Sequence, residues 1–568
     1  MTFSRSRSTR KKSRNTGVVV GLIMGAFALL AVCCAGWFVL TAVFPSSTQP
    51  VTQQITPPQS AELTIAYSPE KADLWKSLVD GFNAQKLKTP SGTPLTVKTV
   101  ELEPDAMVAG AVAGSFQAMS PDSSVWLGQV DRAWADAHGG EGTLVGATTR
   151  YAVSPVVIAM WRDVAKSMGY PDKALGWGDL LAKAQSDKNF KWSHPSTTSA
   201  SGLLATLAEF YAASGKTRGL TVEDVQAQRA LDYVNAIEKT VRYYGEGEWP
   251  IAQRVVQQGK SYLDAFVCSE QIVIWARGKG ADLVAIYPAE GALWQDHPLA
   301  LLEQPGLSDA QRLTFARFSD FVRSADAQKR VLALGYRPSD LNVPLNSQGS
   351  PFRTDNGVDP SQPKTSLQVP APVVLQTIQQ AWWQAKRRAN VMLVVDTSGS
   401  MQGDKIANVK QALKIFVEQI QSDQERVGMV LFASSVYDTT PPKELRANRS
   451  ILNTRIDGIK ASGNTALLDG VKTAYDELQK LNDKSRINAI VVMTDGLENN
   501  SNTSLDRLTK YLRDTNQSGV PVIVFSIGYG KDADWKTLKA MSDATGGQAR
   551  EGTVETIKQL YKILSTYF

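Results

Sequence analysis

At 568 residues the chain is too long for one hydrophobic core, and two or three domains are expected. Its formal charge of +6 comes from residues 1–16, where Arg5, Arg7, Arg10, Lys11, Lys12 and Arg14 stand without an acid; the remainder carries 55 basic and 55 acidic residues. That parity excludes a nucleic-acid role for the folded part, and three cysteines, two of them adjacent at Cys33 and Cys34, exclude a disulfide framework.

After the basic tail, Gly17 to Phe44 runs 28 residues without a charge, long enough to span a bilayer. Six positive charges precede it and none follows before Lys71, so the positive-inside rule puts the N-terminus in the cytoplasm and residues 45–568 outside. The apolar run is longer than the core of a cleaved signal peptide, which favours an uncleaved signal anchor. Ala31-Val32-Cys33-Cys34 hints at lipoprotein processing instead, but apolar sequence continues past the cysteines. Gly17, Gly21 and Gly25 form overlapping G-x-x-x-G steps, which would permit a dimer through this helix.

Residues 45–60 are polar and Pro-rich and read as a linker. Then strands and helices alternate. Strands are expected at 63–68, 95–102, 123–129 and 151–161. Helices are expected at Leu74–Phe82, Trp177–Ala184, Leu203–Tyr211 and Ala230–Tyr243. Further elements follow at 262–275 and 283–291, then helices at Ala310–Ser324 and Asp326–Ala333. This order, closing on GYRPSD at 335–340, resembles the bacterial periplasmic-type solute-binding proteins. The resemblance implies a two-lobed α/β domain over 61–345. The chain would cross to the second lobe, about 155–285, near Val153–Ile158, and return near Val284–Pro288. It also implies a ligand cleft between the lobes. Polar loops at helix starts would line it, with Tyr67, Ser68, Thr197 and Ser199 as candidate ligand-binding residues and Trp126 as a candidate wall. Such loops can hold an oxyanion through free N–H groups and hydroxyls, or simply cap their helices.

Residues 346–387 read as a Pro-, Ser- and Asn-rich linker, free or packed on the first domain, followed by a connecting helix from 373 in which Trp382 and Trp383 pack against a neighbour. From 388 to 568, apolar β-branched runs at Val391–Val395, Val427–Phe432, Ala489–Met493 and Val520–Ser526 alternate with helical patterns. The helices read at Asp404–Gln421, Ala466–Leu481, Leu505–Asp514, Ala533–Ser542 and Val554–Ser565. Strands of that kind separated by helices argue a doubly wound, Rossmann-like parallel sheet covered on both faces. Ligands of such sheets bind beyond the carboxyl ends of the strands, where Asp396 and Asp495 fall.

Asp396-Thr397-Ser398-Gly399-Ser400, Thr465, and Thr494-Asp495-Gly496 resemble the metal-ion-dependent adhesion site of von Willebrand factor A domains. The resemblance implies that Ser398, Ser400 and Thr465 hold Mg²⁺ through hydroxyls, with Asp396 and Asp495 acting directly or through water. Another divalent cation such as Mn²⁺ or Ca²⁺ would suit the same oxygens. An acidic group on a protein partner would then complete the coordination. No enzyme is expected: three histidines, no H-E-x-x-H, no Walker loop and no dinucleotide fingerprint leave little for catalysis. The reading is a single-pass membrane protein, cell-surface exposed, that captures a protein partner through its metal, with the first domain sensing a solute or adding a contact. The alternative is a solute receptor of a transport system with the second domain as its docking module. A third option is a metal that only stabilises the sheet edge.

Overall fold

Alternating apolar residues decide how the C-terminal domain is built. In the strand Ala389–Asp396, Val391, Leu393 and Val395 enter one core while Met392 and Val394 enter another, so both faces are buried. The computed structural model describes residues 60–245, 247–420, 422–530 and 533–552, and from Ser60 onward these cluster as one compact unit.

The C-terminal sheet has six strands in the order Val436–Glu444, Arg426–Phe432, Ala389–Asp396, Ile487–Thr494, Val522–Tyr529 and Ala549–Gly552. Pairing is parallel except at the edge, where Val436–Glu444 turns back antiparallel on Arg426–Phe432. That strand has no apolar run to mark it, because its burial is only partial and it carries Pro441 and Pro442, residues typical of an edge. The helix Leu445–Gly458 after it is likewise absent from the expected elements. Helices at Asp404–Gln419, Leu467–Leu481, Leu505–Ser518 and Trp535–Thr545 fall where the periodicity places them. The expected helix at Val554–Ser565 lies outside the described residues, as do the basic tail, the apolar segment 17–44 and nearly all of the linker. Among the described residues no helix is long and apolar enough to cross a membrane.

The N-terminal domain has two sheets. The first runs Thr96–Glu101, Glu62–Tyr67, Ala118–Ser120, Pro298–Leu302, Val145–Arg150, parallel on its early strands and antiparallel around Pro298–Leu302. The second runs Trp294–Gln295, Ala152–Trp161, Ala265–Ser269, Trp192–Pro195, Tyr244–Gly245, with Leu283–Ile286 and Arg337–Pro338 also pairing on Ala152–Trp161. The chain crosses at Ala152, close to expectation. It returns later than expected, because Leu283–Ile286 still belongs to the second sheet and Pro298–Leu302 is the strand that rejoins the first. The segment 123–129 is not a strand: Val125–Ala137 is a helix that buries Trp126, Leu127 and Val130, and the strand is Ala118–Ser120 just before it. Helices Asp309–Val322 and Ala325–Ala333 then cover the first sheet through Phe315, Phe318, Val322 and Val331.

The Pro-rich stretch from 346 is packed rather than free. Phe352, Val358 and Leu367 are buried, and the Tyr211 hydroxyl donates to the Gln368 carbonyl at 2.5 Å. The connecting helix Pro372–Ala385 buries Trp382 edge-on against Tyr244, 5.2 Å between ring centroids. Arg387 then ties the two domains. Its guanidinium donates to Val241 O at 2.8 Å on one side and to Lys484 O at 2.7 Å and Ser485 O at 3.1 Å on the other.

Candidate functional site

Three loops meet at the carboxyl ends of adjacent strands in the C-terminal domain. Asp396 ends one strand, Thr494 ends its neighbour with Asp495 next, and Thr465 lies in the loop before the helix Leu467–Leu481. Backbone bonds clasp these loops together: Gly399 N to Gly463 O at 2.9 Å, Ser462 N to Thr397 O at 2.8 Å, and Asn499 N to Thr465 O at 3.1 Å.

All five residues expected at the site are brought together. Ser398 Oγ lies 3.0 Å from Ser400 Oγ, and the Ser400 hydroxyl donates to Asp495 Oδ1 at 2.7 Å. A Cβ placed on Gly496 would sit 3.1 Å from Thr465 Oγ1 and 3.4 Å from Ser400 Oγ, so both hydroxyls converge on the space that Gly496 leaves open. Asp396 is fully buried, takes the Ser398 N–H on Oδ1 at 2.7 Å, and accepts the Thr494 hydroxyl on Oδ2. Burial raises its carboxyl above the ordinary range, the bonds from Thr494 and Ser398 oppose this, and the nearby Asp495 adds to it. The Lys405 ammonium pairs with Asp495 Oδ2, so the carboxylate faces a positive charge. Hydroxyl and carboxylate oxygens around one small opening fit a hard divalent cation, and two carboxylates would balance its charge. Sequence reasoning missed Lys405, which is the second residue of the helix Asp404–Gln419 and reads there as an ordinary solvated residue.

The N-terminal domain gathers a second set of polar groups where its lobes meet. Glu70 and Lys71 follow the first strand, Asp122 follows Ala118–Ser120, and Glu248 opens the helix Glu248–Gln258 of the second lobe. Gln295 Nε2 lies 3.5 Å from Asp122 Oδ2 and 3.4 Å from Glu248 Oε2, spanning the lobes. Glu248 also accepts the Ser269 N–H at 2.9 Å and hydroxyl at 2.8 Å, while Lys71 Nζ is held by Ser120 O at 2.6 Å and Pro121 O at 2.8 Å. Burial, with Glu70 nearby, pushes Glu248 up to about 7; burial also raises Glu70 and Asp122 and lowers Lys71 to about 8.

Of the residues expected to line a cleft, Ser68 is buried beside this group, next to Glu70. Trp126 is buried and donates to Asp122 Oδ1 at 3.1 Å. Tyr67 stacks on Trp75 at 5.7 Å and reaches Glu101. Ser199 caps the helix Ala200–Ser214, accepting from Gly202 N at 3.2 Å, and Thr197 is buried in the same turn. The acids of the lobe junction are not among the residues expected from the sequence; their signal is position, since Glu70 and Asp122 stand just past strand ends, each after a proline.

Residues 390–565 match the von Willebrand factor type A domain family, and residues 63–337 match the bacterial extracellular solute-binding protein family. The chain joins a solute-binding domain to a von Willebrand factor A domain. The chain is 24% identical over 179 residues to the uncharacterized protein YfbK of Escherichia coli, covering 31% of this chain and 30% of that protein. It is 34% identical over 162 residues to the calcium-activated chloride channel regulator 1 of Mus musculus, covering 28% of this chain and 16% of that one. The chain thus spans less than a third of either relative. Among solved structures, the sulfate-binding protein SubI of Mycobacterium tuberculosis aligns at 20% identity and a TM-score of 0.37, over 50% of this chain and 88% of its own. A von Willebrand factor type A protein of Catenulispora acidiphila aligns at 17% identity and a TM-score of 0.27, over 32% of this chain and 42% of its own.

Proposed function

We propose that this chain is a membrane-anchored, extracytoplasmic binding protein whose A domain captures a protein partner through a divalent cation, Mg²⁺ first among them. The observation that supports the reading is that Asp396, Ser398, Ser400 and Asp495 gather at the carboxyl ends of two adjacent strands, with the Ser400 and Thr465 hydroxyls beside the space at Gly496. These residues would hold the ion, which would supply a positive centre for an acidic side chain of the partner. The face around the opening also supports a protein partner. Leu497, next to Gly496, is 62% exposed, and Tyr437, whose hydroxyl lies 3.0 Å from Thr397 Oγ1, is 54% exposed. Exposed apolar and aromatic side chains beside a charged centre are what a specific interface uses as anchors. The anchor and orientation rest on residues 1–44 of the sequence: an uncharged span behind a basic tail.

The test is Mg²⁺ titration of the full chain with Asp396→Ala and Thr465→Ala alongside, followed by Mg²⁺-dependent partner capture. Binding lost in both variants, with the fold retained, supports the reading. Partner capture unchanged in both removes it. A metal that only raises the melting temperature, with capture independent of it, points instead to a stabilising ion.

The match over residues 63–337 favours a second reading, a solute receptor of a transport system that uses its A domain for docking. Burial favours the protonated form of Glu70, Asp122 and Glu248 at the lobe junction, and Lys71 stands among them, so the junction offers both hydrogen-bond donors and acceptors and suits a polar, hydrogen-bonding solute. Saturable solute binding that survives Asp396→Ala would support this second reading.

A further inference from the structure

The second lobe holds a cluster that neither reading uses. His194 from the strand Trp192–Pro195, Glu209 from the helix Ala200–Ser214 and Glu238 from the helix Gln228–Glu238 each bring one ligand atom within 4.8 Å of the others. All three side chains are wholly buried. Among the described residues no donor reaches either oxygen of Glu209 or Oε1 of Glu238. Two carboxylates in such surroundings are costly unless something positive lies between them.

The histidine is oriented for this. Its Nδ1 lies 2.7 Å from the Pro195 carbonyl, which can only accept, so Nδ1 carries a proton. In the neutral ring Nε2 then presents its lone pair to the cluster, 3.2 Å from Glu238 Oε2, which is also an acceptor. An imidazole fixed by an Nδ1–H bond to a backbone carbonyl is the usual arrangement of a metal ligand. Glu238 Oε2 has its own support, the Tyr244 hydroxyl at 2.6 Å.

We propose that His194, Glu209 and Glu238 bind a first-row divalent ion, of the class of Zn²⁺, Mn²⁺ or Fe²⁺, at a site separate from the A domain. One neutral imidazole and two carboxylates cancel the ionic charge, which makes the buried ensemble neutral. Nitrogen with oxygen donors suits these ions better than Mg²⁺ or Ca²⁺, which prefer oxygen alone. Closing the ligand atoms onto an ion at about 2.0–2.2 Å needs only small side-chain shifts. The ion would be structural. It would tie one strand to two helices, and through Tyr244, whose hydroxyl accepts the Arg387 N–H at 2.9 Å, would brace the residue that joins the domains.

The experiment uses the full chain carrying Asp396→Ala, so that the A-domain site is silent. Co²⁺ titration should give ligand-field absorption saturating at one equivalent, displaced by Zn²⁺, with a raised melting temperature. Adding Glu209→Gln, nearly isosteric, or His194→Gln should weaken Co²⁺ binding by about tenfold or more. Absence of saturable Co²⁺ binding to the Asp396→Ala chain would overturn the proposal and leave a cluster neutralised by protons. Binding undiminished by Glu209→Gln or His194→Gln would also overturn it. Should both substitutions prevent folding, the Asp396→Ala chain still decides: a melting temperature unaffected by chelator and by added Co²⁺ refutes the site.

Discussion

Gly496 has no side chain, and the A-domain opening depends on that. A methyl group there would press on Thr465 Oγ1 and Ser400 Oγ, at 3.1 and 3.4 Å. Because the residue is at the surface of a loop and not in a core, Gly496→Ala should leave the melting temperature nearly unchanged while lowering Mg²⁺ affinity about tenfold, read by calorimetry. Equal affinity in the two proteins would mean that the hydroxyls do not converge on the ion. A second residue-scale prediction concerns Glu248. Its carboxyl is raised from 4.5 to about 7 by burial and Glu70, so between those values the folded state binds more protons than the unfolded one. Stability is therefore greatest below the unfolded value and falls as pH rises through the folded one, by at most about 1.4 kcal/mol for each pH unit crossed. Asp122, raised for similar reasons, acts in the same direction. Urea midpoints should decline from about pH 5 to about pH 7, and Glu248→Gln should flatten the decline. A midpoint that rises over this range would contradict the burial of these acids.

At the scale of elements, the sequence is most legible where burial is two-sided. The four continuous apolar runs of the A domain read as strands because every position in them is buried or nearly so. Four of the five candidate metal-site residues, Asp396, Ser398, Ser400 and Asp495, are legible because short motifs sit at the ends of two of those strands, while Thr465 lies in the loop before the helix Leu467–Leu481. The edge strand Val436–Glu444 escapes notice because one side faces solvent and two prolines interrupt its pattern. SSVWLGQ reads as a strand because Val125, Trp126 and Leu127 are adjacent apolar residues, too few for a period to show; only Val130 and the sheet beneath fix it as a helix. The His194–Glu209–Glu238 cluster is invisible for a different reason. Glu209 lies in a helix where nearly every residue is buried, and no local spacing announces partners on another helix and a strand. That helix begins directly under the preceding strand: a Cβ on Gly202 would lie 2.1 Å from Ser196 O and 2.3 Å from Pro195 O, both backbone atoms that cannot yield easily. Gly202→Ala should thus destabilise the second lobe by several kcal/mol, whereas Ser199→Ala, which removes the cap and the hydroxyl's bond to Ser196 O, should cost about 1–2 kcal/mol. Denaturant melts in which the two variants lose equal stability would show that the close approach does not hold.

Over the whole molecule, a single apolar cluster runs from Val157 and Phe266 in the second lobe, through Ile378 and Trp382 of the connecting helix, to Val391 and Leu393 in the A-domain sheet. Continuous packing of that kind predicts that second lobe, connector and A domain unfold together. Polar groups reinforce the seam. Lys386 Nζ lies 3.1 Å from Glu425 Oε1 with both side chains 1% exposed, Glu425 also accepts the Ala389 N–H, and Arg254 Nη1 reaches the Gly546 carbonyl at 2.9 Å across the domains. Removing one member of a buried pair leaves the other charge stranded, which costs about 3–5 kcal/mol, while replacing both with apolar groups of similar shape recovers much of it. Lys386→Met should therefore split the main calorimetric transition in two, with the A domain melting apart from the second lobe, and Lys386→Met with Glu425→Leu should bring the transitions back toward one. If the parent chain itself melts in two separated steps at these domains, the shared core does not couple them. An event at the proposed metal site would then have no packed route to the solute-binding lobes, and the two domains would act as independent modules on one chain.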